Sequence, residues 1–298
     1  MRENDLIRTL RAQVPTPAGM RGIGDDCCEW TPGGRTCLSV DTVVEGTHFL
    51  PGTDPRLVGR KAAAAALSDL AAAGAKPVGA VVALTRPAGA DSLAVMEGLT
   101  AELQRHGCAL LGGDTTTGPL LTISVTVWGE AVPTAHGPGR LLTRHGAELG
   151  DLLIVTGPLG GSFASGRHLK PEPRFAQGQW FAQCPYIHAC MDISDGLATD
   201  VPRLADLNGL GSLLLPAQVP VHDDVPILSD TTKAACCDGE DFELLAAVAP
   251  EHWPALQLAW PFEERLAVVG WLVPELTHTI EDAYSRRMPI PWTGYEHG

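Results

Sequence analysis

The sequence predicts two successive domains of α/β or α+β type, and three observations predict them. Strand-like and helix-like apolar patterns alternate along both halves of the chain. Glycine and proline concentrate between the halves, in Val132-Pro133-Thr134-Ala135-His136-Gly137-Pro138-Gly139. A chain of 298 residues, 45% hydrophobic and 19% charged, has enough apolar content for two cores of ordinary size. The division is placed at 1–139 and 140–298.

The elements follow in order. Leu6, Ile7, Leu10 and Val14 recur at helical spacing and predict a helix over 2–14, stopped at Pro15. Thr-Cys-Leu-Ser-Val-Asp-Thr-Val at 36–43 predicts a strand with polar residues at alternate positions. Residues 56–74 predict an alanine-rich helix ended by Gly74, its small side chains suited to close packing on a sheet. A strand at 78–85, an amphipathic helix at 91–106 and a short strand at 109–111 come next. At 120–128, Thr122, Ser124 and Thr126 alternate with apolar residues, as in a half-buried strand. The second half offers strands at 151–156, 213–215, 244–248 and 266–269 and a helix at 196–207.

Composition excludes several classes. A net charge of -14 argues against broad nucleic-acid or anionic-membrane binding, which require basic surface. No apolar segment follows Met1-Arg2-Glu3-Asn4-Asp5, and no run approaches the roughly 18 apolar residues of a membrane span. A cytoplasmic protein is expected, with reduced thiols: none of the eight cysteines forms a C-x-x-C pair, which leaves zinc without a motif.

The chemistry is carried by short acidic motifs: Gly24-Asp25-Asp26, Val40-Asp41, Ser68-Asp69, Gly112-Gly113-Asp114 and Asp192-Ile193-Ser194-Asp195-Gly196. One aspartate after a strand is ordinarily a turn or helix cap. A whole series of them, one lying inside a predicted helix where capping is no explanation, suits Mg²⁺, which takes a few carboxylates and completes its shell with water and phosphate oxygens. Bridging cations also reconcile an acidic protein with an anionic nucleotide. No Gly-x-x-x-x-Gly-Lys-Ser/Thr phosphate loop is present. Gly22 and Gly24 would let the backbone near Asp26 approach a phosphate closely.

These motifs, in this order, resemble a known family. Gly22-Ile23-Gly24-Asp25-Asp26, Asp41-Thr42-Val43-Val44-Glu45-Gly46-Thr47-His48-Phe49, Leu67-Ser68-Asp69-Leu70-Ala71-Ala72-Ala73-Gly74-Ala75 and Gly112-Gly113-Asp114-Thr115-Thr116 occupy the first half. Leu142-Thr143-Arg144, Gly150-Asp151, Asp192-Ile193-Ser194-Asp195-Gly196-Leu197 and Gly239-Glu240-Asp241-Phe242-Glu243-Leu244 occupy the second. The chain resembles the thiamine-monophosphate kinase branch of the aminoimidazole ribonucleotide synthetase-like ATP-binding superfamily.

The resemblance implies a two-domain fold. In it, the N-terminal α/β domain binds ATP and magnesium and dimerises through a β-barrel-like sheet, and the C-terminal domain is α+β. It implies transfer of the γ-phosphoryl group of ATP to thiamine monophosphate, giving thiamine diphosphate and ADP, in a homodimer with several Mg²⁺ ions. Carried over by position, Asp26, Ser39, the Val40 carbonyl, Asp41, Asp69, Asp114, Asp192 and Asp195 are implied metal contacts. Gly113, Asp114, Arg144 and Ser194 are implied ATP contacts, and His48, Glu240 and Tyr295 substrate contacts. No general base is assigned. The acceptor oxygen is already ionised at neutral pH, so charge neutralisation and in-line positioning carry the reaction. A carboxylate and an aromatic face suit a cationic thiazolium.

The chain departs from the family pattern at Ala66, where Asn is usual, at Arg105-His106, where Tyr is common, at Asp238, and in the ending Gly294-Tyr295-Glu296-His297-Gly298. Two rivals stand beside the kinase reading. One is a relative using the same ATP site on another acceptor, which predicts a reactive cysteine tail or another acceptor-site constellation. The other is a nucleotide-binding regulator without turnover.

Overall fold

The 12-residue strand Ala75–Arg86 is the spine of the N-terminal half, paired on both sides. The computed structural model describes residues 3–20, 23, 27–28, 30–135, 137–227, 229–282 and 284–295. The chain divides into two compact units, residues 1–70 with 75–141, and 71–74 with 142–298.

The first unit contains α1 (Glu3–Gln13), β1 (Thr36–Val44), α2 (Pro55–Ala72), β2 (Ala75–Arg86), α3 (Ser92–Arg105), β3 (Ala109–Thr117) and β4 (Thr122–Ala131). Its four strands form one sheet in the order β1-β4-β2-β3. β4 runs antiparallel to both β1 and β2, and β2 runs parallel to β3, the two joined through α3. One face of this sheet is apolar: Val43, Ile123, Val125, Val127, Ala80, Val82 and Leu84 are all buried. α2 is buried nearly all round, from Val58 through the alanines to Leu70. Gly74 adopts φ +66°, the left-handed conformation that stops a helix cheaply. Asp91 caps α3 by accepting the Ala94 N–H at 3.1 Å.

Among the described residues this sheet is open, with β1 and β3 as its two edges, and no barrel is closed. β3 corrects the sequence expectation, which ended the strand at residue 111; it continues through Gly112-Gly113-Asp114 to Thr117. Glycine gives no strand signal, and pairing with β2 overrides the local preference. Gly113 is required there, because a Cβ at that position would stand 2.0 Å from the Val82 carbonyl oxygen.

The second unit contains β5 (Leu152–Val155), α4 (Ser162–Ser165), α5 (Phe175–Gln183), β6 (Ile187–Asp192), α6 (Leu197–Leu207), β7 (Gly211–Leu214), α7 (Thr231–Cys237), β8 (Leu244–Val248), α8 (Trp253–Ala259), β9 (Ala267–Val273), β10 (His278–Glu281) and β11 (Arg287–Pro289). The strands form a seven-stranded mixed sheet in the order β11-β10-β7-β9-β5-β8-β6. Both faces are covered. Leu153, Val155, Leu245 and Ala247 pack with Val201 and Leu204 of α6, while Ile154, Leu244, Ala246 and Val248 pack with Phe181 of α5 and Leu256 of α8. Strands buried on both faces read as unbroken apolar runs, so β8 is recognisable from sequence alone. β6, α5, α7, α8, β10 and β11 have no counterpart among the predicted elements, being short or poor in β-branched residues. All eight cysteines are free thiols, and no helix among the described residues is long and apolar enough to cross a membrane.

Candidate active site

In the first unit the proposed metal contacts lie on β1 and α2. Ser39 Oγ donates to Asp69 Oδ2 at 2.5 Å, joining strand to helix across 30 residues. Asp41 follows Ser39 by two positions and so shares its face of β1. Its Oδ1 accepts the Thr42 N–H at 2.7 Å. β1 is an edge strand, with Val40 58% exposed on its other face.

Asp114 stands apart from them. It is exposed on β3, the opposite edge of the same sheet, in register with Ala83 and through it Ser124 and Thr42. That register puts it on the face opposite to Asp41. Three strand spacings separate the two edges, about 14 Å. Among the described residues no group of three or more His, Cys, Asp or Glu side chains is close enough to hold a metal ion. Asp26 lies outside the described residues, and the sheet order keeps Asp41 and Asp114 apart.

His48 lies in the turn after β1. Its Nδ1 accepts the Val44 N–H at 3.1 Å, and its carbonyl accepts from Lys61 Nζ of α2 at 2.5 Å. His106, one of the departures, is explained by packing: its Nε2 lies 3.2 Å from Glu102 Oε1, and Arg105 pairs with the same carboxylate.

In the second unit the Asp192–Gly196 motif is the turn between β6 and α6. Asp192 is the last residue of β6 and is buried. The loop 239–243 is zipped to it: Glu240 N–H donates to the Ser194 carbonyl at 2.7 Å, and Phe242 N–H to that of Ile193 at 2.9 Å. Ser194 is half-buried. Asp195 is ion-paired with Arg203, which also reaches Asp200 at 3.1 Å. A metal role for Asp195 therefore requires Arg203 to give way. The carboxyl of Asp200 is pushed up to about 6 by its burial and by the Asp195 charge. The C-terminal segment lies along this turn, with Gly294 N–H on Thr199 Oγ1 at 2.9 Å and Tyr295 N–H on the Asp195 carbonyl at 3.0 Å. Tyr295 is thus tied to Asp195 and still 43% exposed.

Glu240 and Phe242 adopt φ of 55° and 54°, the left-handed region that non-glycine residues rarely enter. The residues that hold this conformation were not found from sequence. Arg167 donates to Asp241 Oδ1 at 2.9 Å and to Asp224 Oδ2 at 2.8 Å, and Arg174 forks onto Glu243. Thr156 Oγ donates to Glu243 at 2.6 Å, and His168 Nδ1 lies 3.1 Å from Glu240 Oε2. The carboxyls on either side of Phe242 are thereby fixed, and Glu240 is aimed by its neighbours. Arg144 is exposed, and Asn208 of the α6 end holds its segment by donating to the Arg144 carbonyl at 2.9 Å and accepting the Gly146 and Ala147 amides. The available sequence signals were weak: the prolines between Lys170 and Arg174, and a lone lysine in the alanine run of α2.

The donor set fits magnesium. Ser39, the Val40 carbonyl, Asp41, Asp69, Asp114 and Asp192 are all hard oxygen ligands. Asp69 and Asp114 form no ion pair with a lysine or arginine among the described residues.

Comparison with known proteins finds relatives over most of the chain. The model of the family "AIR synthase related protein, N-terminal domain" matches residues 24–131. A thiamine-monophosphate kinase of Salmonella typhimurium is 35% identical, over 98% of this chain and 95% of its own. The crystal structure of a thiamine-monophosphate kinase from Stenotrophomonas maltophilia superposes with a TM-score of 0.78 at 29% identity, over 93% of this chain and 95% of that one. The solved complex of AaThiL with AMPPCP and TMP shares the fold, with a TM-score of 0.72 at 24% identity over 94% and 95% of the two chains.

Proposed function

The chain belongs to the thiamine-monophosphate kinase family, and from that premise we infer that it is a phosphotransferase of thiamine biosynthesis. It transfers the γ-phosphoryl group of ATP to the phosphate of thiamine monophosphate, yielding thiamine diphosphate and ADP. The observation that carries the reading at the site is the Ser39–Asp69 contact, which joins the strand that carries Asp41 to the Ser68-Asp69 motif of α2 in one oxygen-rich corner.

Asp41, Asp69, Asp114, Asp192, Ser39 and the Val40 carbonyl would hold magnesium, with Asp26 and Asp195 as further ligands. Bound there, magnesium neutralises the phosphate oxygens of two anions that otherwise repel. The protein's own groups position the reactants. His48 and Glu240 take the thiamine phosphate, Glu240 and the Tyr295 ring facing its cationic end. Gly113, Asp114, Ser194 and Arg144 take ATP, Arg144 by a charge-assisted fork onto a phosphate. In-line placement then does the work that an acid–base pair does elsewhere. Use of ATP favours a cytoplasmic enzyme.

The functional division we propose is 1–139 for ATP, magnesium and dimerisation, and 140–298 for the α+β domain. The dimer has a geometric motive. Asp41 and Asp114 sit at opposite edges of one sheet, too far apart to share an ion within one chain. A second copy laying its β3 edge beside β1 would bring the edges that carry the two carboxylates next to each other.

The test is product analysis after mixing the protein with ATP, Mg²⁺ and thiamine monophosphate. Thiamine diphosphate and ADP should appear together in equal amounts and vanish on chelation. ATP binding with no ADP formed would contradict the assigned acceptor.

A further inference from the structure

Lys61 is an anomaly in α2. It sits at the start of the alanine run and is 1% exposed. A buried ammonium is strongly unfavourable unless hydrogen-bonded, and a hydrocarbon of the same length would pack as well. Its Nζ donates to the backbone carbonyl of His48 at 2.5 Å. His48 is held from a second side, because its Nδ1 accepts the Val44 N–H at 3.1 Å. The turn is closed by Gly46 N–H on the Phe49 carbonyl at 2.8 Å and His48 N–H on that of Val44 at 2.9 Å, and Phe49 is buried beneath it. With Nδ1 engaged as an acceptor, the proton of the neutral ring is on Nε2. A ring locked in that tautomer donates to an anionic oxygen from Nε2 and has no Nδ1 lone pair to offer as a base.

We propose that Lys61 is a positioning residue of the acceptor site: its buried ammonium holds the turn after β1 so that His48 presents Nε2–H to the phosphate of thiamine monophosphate. This rests on the reading of His48 as a substrate contact. Lys61 touches no reactant; it acts through the His48 backbone, while the Val44 amide sets the tautomer.

The experiment is a double-mutant cycle on the full chain, reading KM separately for thiamine monophosphate and ATP. His48→Ala and Lys61→Met are each expected to raise KM for thiamine monophosphate about tenfold, the loss of one charge-assisted contact. KM for ATP should stay within about twofold, and the double variant should be no worse than His48→Ala alone. Multiplicative losses, or an equal rise in KM for ATP, would show Lys61 acting elsewhere and overturn the proposal. A raised KM in His48→Ala with no change in Lys61→Met overturns it too, leaving the role of His48 intact. If His48→Ala itself changes nothing, the substrate reading of His48 has failed and the proposal falls with it. Should Lys61→Met not fold, Lys61→Gln keeps a donor for the carbonyl and is expected to raise that KM by only about threefold; a loss as large as that of His48→Ala, or none, overturns the proposal. Nitrogen NMR of the wild-type ring supplies a check independent of any variant: the Nε2–H tautomer is expected, and the Nδ1–H tautomer overturns the arrangement.

Discussion

Asp114 is exposed at a sheet edge and forms no ion pair with a lysine or arginine among the described residues. That leaves its carboxylate open to the cation proposed for it. Asp114→Asn keeps volume and shape and loses the charge a cation needs. We expect kcat to fall by on the order of 100-fold or more, about 3 kcal/mol of transition-state stabilisation, with an unchanged circular dichroism spectrum. Full turnover would remove Asp114 from the site. Asp241 is the opposite case, a buried carboxyl held by Arg167 and the Gly160 amide. Burial outweighs both partners and pushes it up to about 6 from an ordinary 3.8. The folded state therefore keeps a proton that the unfolded chain has released, so this group lowers stability as pH rises from about 4 to about 6. Asp241→Asn removes that dependence. The difference in unfolding free energy between wild type and variant should change by on the order of 3 kcal/mol across the window. A constant difference would show that Asp241 titrates alike in the folded and unfolded chain.

Between elements, the closest approach in the first unit is α2 on α3. A Cβ on Gly59 would stand 1.9 Å from the Val95 carbonyl oxygen, and one on Gly98 1.9 Å from that of Arg56. Glycine in an exposed helix is improved by alanine by about 1 kcal/mol. Here the sign reverses, and Gly59→Ala should lower the unfolding free energy by about 2 kcal/mol or more as the helices are forced apart, as read by denaturant titration. α2 carries both Asp69 and Lys61, so such a shift would also reach the site. Elements with a strong local period, such as α1, α2, α3 and β4, were legible in the sequence. β3 was not, because its second half is glycine and threonine fixed by pairing with β2. The candidate site divides the same way. The carboxylates were legible because they fall in short motifs. Arg167 and Arg174 were not, because each acts on a loop 74 or 69 residues away, a relation no local pattern records.

At the scale of the molecule, the open question is how many chains build one site. The Asp41→Asn and Asp114→Asn variants should each be inactive. If the two carboxylates meet only between copies, refolding the variants together gives one intact site in each mixed dimer. Half of the dimers are mixed in an equal mixture, so about a quarter of wild-type turnover should return. No recovery would mean that both residues serve a site within one chain. The second unit carries proposed contacts of its own, on the turn after β6 strapped by the loop 239–243 and by Gly294 and Tyr295.

The uncovered rim of β1 has one more consequence. Leu38 and Val40 face outward on a strand whose outer edge pairs with no other strand among the described residues, the template that recruits foreign strands. A copy whose ledge is bare is therefore open to pairing with any unpaired strand it meets. In the dimer proposed above, dilution would bare that ledge by separating the copies.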